Sequence, residues 1–200
     1  GNVYISTDPG SADDLGSIIN IFGTIRANNL IINSASDHDQ VNISGTVIIN
    51  QTIEVHGQET ADTMVFTKTM IASDIKIYGE GGDDIITIDI QQPEVLIGNV
   101  WIYGGEGHDV ITINRLQTQT EGSTMTIDGE GDTDDVIINV RGGQTDYVIN
   151  VFDTGDPNDG ADTLTINGTD SGDLFLSRAN FVAYLNPDGV DGLHDEVERI

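Results

Sequence analysis

The sequence predicts an all-β chain folded as a right-handed parallel β-helix with about 22 to 28 residues per coil, and two observations carry that prediction. The first is a line of aspartates, Asp14, Asp39, Asp62, Asp84, Asp109, Asp134 and Asp162, spaced by 25, 23, 22, 25, 25 and 28 residues. The second is the apolar register around five of them. Nine and seven residues before each aspartate, then two and four after it, stand Leu30, Ile32, Val41 and Ile43; Ile53, Val55, Met64 and Phe66; Ile75, Ile77, Ile86 and Ile88; Val100, Ile102, Ile111 and Ile113; and Met125, Ile127, Val136 and Ile138. All twenty are apolar. Alternation with a period of two on both sides of an acidic turn reads as strand, tight turn, strand, with one face buried. One such unit cannot bury its own apolar face, whereas stacking coils at about 4.8 Å makes a continuous aliphatic interior. A β-sandwich also shows short, evenly spaced strands, but it has no need of an acidic residue at one register in every copy.

Taken in order, the first coil is loose: Val3 and Ile5 precede Asp14 across a longer turn, and Gly16 stands where an apolar residue is expected, before Ile18. In the regular coils the turn opens on Gly57, Gly79, Gly104 and Gly129, with Ser34 in the remaining copy, and these glycines are expected at positive φ. Gly82 and Gly107 recur three residues later in the two best copies, where Thr60 and Asp132 stand in others. A third short strand per coil is expected at 47–49, 69–71 and 95–97, and weakly at Leu116. Asn42, Lys76, Thr87 and Thr112 face outward, and Trp101 and Tyr103 alternate with Val100 and Ile102 to form an outward aromatic patch. The last coil has Ile149, Val151, the expanded turn DTGDPNDGAD, Asp162, Leu164 and Ile166. Residues 1–167 are thus expected to form a solenoid of about seven coils, and 168–200 a C-terminal cap or the start of a following module, with short irregular strands in DLFLSR, NFVAYLN and EVERI. A start without Met and a stop inside an expected strand suggest an excerpt of a longer chain.

Seven Lys and Arg face 34 Asp and Glu, a formal charge of -27 that opposes compaction until something neutralises it. Phosphate recognition needs clustered basic residues, so nucleic acid and anionic membrane surfaces are excluded as partners. No apolar run is long enough to span a bilayer, and without cysteine there is neither a disulfide framework nor a thiolate metal site. Abundant Ile and Val separate the chain from disordered acidic tails.

Stacking brings carboxylates together along one edge. Like charges about 5 Å apart repel by roughly 1 to 3 kcal/mol at effective dielectric constants between surface and bulk values, and a bound cation reverses that cost. Oxygen ligands, no thiols and flexible glycine turns favour Ca²⁺. The candidate metal residues are Asp39, Asp62, Asp83, Asp84, Asp109, Asp134, Asp135 and Asp162, with Gly79, Gly82, Gly104 and Gly107 offering carbonyls. The competing reading is a solvated acidic face that keeps the array soluble.

GGEGHDVIT at Gly104 and GEGGDDIIT at Gly79 resemble the calcium-binding nonapeptides of RTX (repeats-in-toxin) proteins. The resemblance covers about residues 30 to 166, with the Gly104 copy complete. It implies calcium held in the turns, secretion, and folding on meeting external calcium, with sixth-position aspartates at Asp84 and Asp109 and, in degenerate copies, Asp39, Asp62, Asp134 and Asp162. One turn per 22 to 25 residues, rather than one per nine, departs from that family and points to a wider β-helix with a single calcium edge. The long repeat and NGTDSGDLFLSRANFVAYLN are similar to segments of very large bacterial surface and secreted repeat proteins.

The expected function is therefore non-enzymatic: a calcium-binding structural or adhesive module of a large extracellular or cell-surface bacterial protein. Its expected partners are calcium, neighbouring modules, and glycans or surface proteins. The alternative is a carbohydrate-active β-helix enzyme, a polysaccharide lyase, epimerase or hydrolase, for which paired carboxylates are available. Scattered Lys and Arg and short loops speak against it. His38, His56, His108 and His194 fall at unlike offsets, with no nucleophile or orienting partner to make one a catalytic base.

Overall fold

The computed structural model describes residues 1–7, 16–114, 123–140, 148–156, 158–169, 174–178, 181–186 and 196–199, and the regular structure in them is all β. One long sheet stacks β1 (Val3–Ser6), β4 (Leu30–Asn33), β7 (Thr52–Glu59), β9 (Met70–Gly81), β11 (Leu96–Glu106), β13 (Met125–Gly131) and β15 (Ile149–Phe152) in that order. The second stacks β2 (Ile18–Ile21), β5 (Gln40–Ile43), β8 (Thr63–Phe66), β10 (Ile85–Ile88), β12 (Val110–Asn114), β14 (Asp135–Asn139) and β16 (Thr163–Asn167). A shorter third face comes from β3 (Thr24–Ala27), β6 (Thr46–Ile49) and the first residues of β9 and β11. Every neighbouring pair in these sheets is parallel, and β1 to β16 form a right-handed parallel β-helix of about six full turns. The third strand appears at 46–49, 70–71 and 96–97; Leu116 lies outside the described residues.

Register explains the core. Leu30 pairs with Ile53, Ile53 with Ile75, Ile75 with Val100 and Val100 with Met125, so each apolar position of one coil lies on its counterpart in the next. The twenty flanking residues are all buried, none more than 3% exposed. Aliphatic ladders of this kind remove roughly 0.8 kcal/mol of unfavourable hydration per buried methylene, which holds short strands that no local propensity would keep.

The ends depart from expectation. In the first coil Ile19 and Ile21 point inward and Ile18 is 61% exposed, because Ile19 pairs with Val41 and Ile21 with Ile43. The residue in register with Asp39 is therefore Ser17, and Asp14 lies outside the described residues. In the last coil Leu164 is 44% exposed, since no further described coil of this sheet covers β16. Beyond it, β17 (Leu174–Arg178), β18 (Phe181–Asn186) and β19 (Glu196–Arg199) form a separate antiparallel sheet. Among the described residues no helix is long and apolar enough to cross a membrane.

Candidate functional site

The repeat aspartates form a ladder inside the corner between the two sheets. The Asp39 N–H donates to Asp62 Oδ1 at 2.6 Å, Asp62 N–H to Asp84 Oδ1 at 2.6 Å, Asp84 N–H to Asp109 Oδ1 at 2.8 Å, Asp109 N–H to Asp134 Oδ1 at 2.9 Å and Asp134 N–H to Asp162 Oδ1 at 2.9 Å. Ser17 donates in the same way to Asp39 Oδ1. Each carboxylate thus satisfies a backbone donor of the coil before it, in a turn where the sheet ladder is interrupted. Asp39, Asp62, Asp84, Asp109 and Asp134 are at most 2% exposed, while Asp162 at the end of the row is exposed.

The second oxygen is unmatched. Oδ2 of Asp62, Asp84, Asp109 and Asp134 is buried with no hydrogen-bond partner, a costly state for an ionised carboxylate. Burial pushes the Asp84 carboxyl up to about 8; the hydrogen bond from Asp62 N–H opposes the rise, and the charges of Asp109, Asp62 and Asp83 add to it. Burial likewise raises Asp62 and Asp109 to about 7 and Asp134 to about 6, each against the hydrogen bond its own Oδ1 accepts. Asp39 differs in having a donor, Thr7 Oγ1, 3.4 Å from its Oδ2.

These shifts set a pH dependence. With folded-state values above the ordinary aspartate value of 3.8, the folded chain holds more protons than the unfolded one between about pH 4 and about pH 8. Calcium-free stability is therefore greatest at the acidic end of that window and falls as pH rises through the folded values, by about 1.4 kcal/mol per pH unit for each aspartate still protonated only in the folded state. Urea unfolding in chelator at pH 5.5, 7 and 8.5 is expected to show midpoints dropping in that order; a flat or rising series excludes buried protonated aspartates.

The turn glycines have a different role from the one expected. Gly57, Gly79, Gly104 and Gly129 are not at positive φ; the left-handed residues are the next ones, Gln58, Glu80, Gly105 and Glu130, and again Thr60, Gly82, Gly107 and Asp132 two positions later. What forbids a side chain at the first glycine is space. A Cβ on Gly79 would lie 2.3 Å from Asp84 Oδ2 and 2.2 Å from the Gly104 carbonyl oxygen, and one on Gly104 would lie 2.3 Å from Asp109 Oδ2 and 2.6 Å from the Gly129 carbonyl oxygen. The unmatched oxygens are packed against glycine Cα. Gly104→Ala is expected to lose about 1 to 3 kcal/mol of stability through overpacking. Gly131→Ala, whose nearest neighbour would be 3.4 Å away, is the control for thermal melting.

The remaining predicted residues divide by side. Asp83 is exposed and its Oδ1 accepts the His108 backbone N–H at 2.9 Å; Asp135 is half-buried, and the hydrogen bond it accepts from the Thr163 hydroxyl, then His108 Nε2 at 3.3 Å, hold its carboxyl below the usual range. The expected single edge is thus two rows, an inner ladder and an outer set of solvated carboxylates. Among the described residues no three His, Asp or Glu side chains converge closely enough to cage a metal ion by themselves, so any ion here needs turn carbonyls as well.

Sequence reasoning named five members of the row facing the ladder, Ser34, Gly57, Gly79, Gly104 and Gly129, and missed the two at its ends, Thr7 and Asp153. Each member stands one residue beyond a paired strand position. Ser34 fills the space with a hydroxyl that donates to the Gly57 carbonyl at 2.8 Å. Asp153 instead sets a second carboxyl against Asp162; Asp162 is exposed as a residue, but partial desolvation of its carboxyl and then that contact raise it. The expanded turn hid this pairing, although the register of Ile149 and Val151 on Met125 and Ile127 could have revealed it.

Comparison of the chain with protein-family models, with curated proteins and with solved structures gives no match, so the functional reading rests on the geometry of this edge.

Proposed function

We propose that this chain is a non-enzymatic, calcium-stabilised structural or adhesive module of an extracellular bacterial protein. The observation that supports it is the row of buried, unpartnered Oδ2 atoms of Asp62, Asp84, Asp109 and Asp134. Four carboxylates repeating up one buried corner need protons or a cation, and at neutral pH and above protons become scarce. The donor chemistry suits a hard ion: carboxylate oxygens of the ladder and carbonyls of Gly79, Gly104 and Gly129, with no sulfur. These residues would hold the ion, and Asp83 and Asp135 would add negative potential from the solvent side. Calcium supplies charge neutralisation of the ladder and, by binding only the folded coils, favours folding where calcium is plentiful, as it is outside cells. The test is a calcium titration of a chelated sample followed by circular dichroism and thermal melting; an unchanged melting temperature defeats the reading.

A further inference from the structure

The outer face of the long sheet carries two rows that neither the core nor the ladder uses. In one, His56, Tyr78 and Tyr103 share a register in three successive coils, with His56 stacked on Tyr78 at 4.7 Å and 12° and Tyr78 on Tyr103 at 5.2 Å and 8°. In the row two residues earlier, Glu54, Lys76 and Trp101, the chain's one tryptophan, occupy the same three coils. All six are half-buried, their bodies packed on neighbours and part of each side chain in water. Tyrosine and tryptophan combine an apolar ring with a polar tip, which suits them to partners that have both.

Charge and size narrow the partner. Lys76 Nζ lies 3.6 Å from Glu54, and His56 Nδ1 lies 2.7 Å from Glu80, whose other oxygen accepts from Gln58. The strip's basic groups are thus engaged by carboxylates, and a chain of net charge -27 repels polyanions. Three coils at about 4.8 Å and two rows about 7 Å apart make a strip of roughly 200 Å², well short of the roughly 800 Å² per partner of a stable protein interface. A second copy or a folded protein is too broad for it, whereas a narrow chain laid across the coils matches it. Because the rings of His56, Tyr78 and Tyr103 stack on one another, they turn their edges and polar tips to solvent; those edges and Trp101 give a sugar chain apolar contact, and tyrosine hydroxyls, the Gln58 amide and the glutamates accept from or donate to its hydroxyls.

We propose that this strip is a binding site for a neutral, linear polysaccharide running along the solenoid axis. The proposal goes beyond the calcium reading and is independent of it, since none of its residues belongs to the ladder.

Trp101 reports binding directly. Neutral β-1,4-linked hexasaccharides of glucose, mannose and xylose are titrated against the whole chain, with tryptophan emission and retention in gels containing the matching polysaccharides as readouts, and polygalacturonate as the anionic control. At least one neutral polymer is expected to shift the emission saturably and retard the protein, and polygalacturonate to do neither. Tyr78→Ala is expected to weaken retention about three- to tenfold, while Thr112→Ala on the other sheet leaves it unchanged. Because Tyr78 is sandwiched in the stack, Trp101→Ala, read by retention with circular dichroism as the fold control, is the second variant. The proposal is overturned if no neutral polymer binds, if both folded variants bind as wild type does, or if the strip instead mediates a concentration-dependent dimer that Tyr78→Ala dissolves. Running the titration with and without calcium separates it from the metal reading, because a null calcium melt leaves retention intact.

Discussion

In chelator at pH 8, addition of calcium is expected to raise the melting temperature by roughly 5 to 10 °C for each site filled to about a hundredfold over its dissociation constant. The figure combines about 2.7 kcal/mol of linkage at that saturation with about 2 to 4 °C per kcal/mol for a domain of this size. The gain should shrink at pH 5.5. Asp62, Asp84 and Asp109, with carboxyls raised to about 7, 8 and 7, are then protonated, and calcium has to displace those protons. Calorimetry near pH 7 in two buffers of different ionisation enthalpy is expected to show proton release on binding. Equal calcium gains at pH 5.5 and pH 8 would mean that the ion sits on the solvated carboxylates such as Asp83 and Asp135 and leaves the ladder alone.

Replacing Asp109 should have the largest single-residue effect, and its sign should depend on the replacement. Asp109→Ala removes the Oδ1 that accepts Asp84 N–H at 2.8 Å, leaving a buried donor unsatisfied at a cost of about 1 to 3 kcal/mol, with a further penalty for the emptied space. Asp109→Asn keeps an acceptor oxygen at that position and removes the charge. In chelator at pH 8 it is expected to match or exceed wild-type stability, while calcium no longer stabilises the neighbouring coils. Denaturant midpoints of the two variants, each with chelator and with calcium, separate the hydrogen-bond role from the ionic one. If Asn and Ala destabilise equally in chelator, the ladder is not held by its Oδ1 bonds.

Architecture was legible because its signal is periodic. Twenty apolar positions at fixed offsets from five aspartates all became core, and Trp101 and Tyr103 face outward as alternation requires. The reading failed where spacing drifted. Around Gly16 and Ile18 a counted offset placed the wrong residues inward, whereas pairing of Ile19 with Val41 set the register and made Ser17 the first rung. The glycines were legible as necessary but not for the right reason: Glu80 and Glu130 tolerate the left-handed positions, while a Cβ on Gly79 would strike atoms of its own turn and of the next coil.

The sequence by itself determined that the chain is a stacked β-solenoid with one aspartate per coil at a common turn, since periodic burial and an acidic register are properties of residue order alone. Only the tertiary structure decided which way those aspartates face. A carboxylate counted along the chain fits a calcium edge or a solvated face alike; set against the next coil, its Oδ1 closes a backbone hydrogen bond and its Oδ2 is left buried without a partner beside a glycine. Burial and partnering are made between coils some 22 to 28 residues apart, and no local pattern states them.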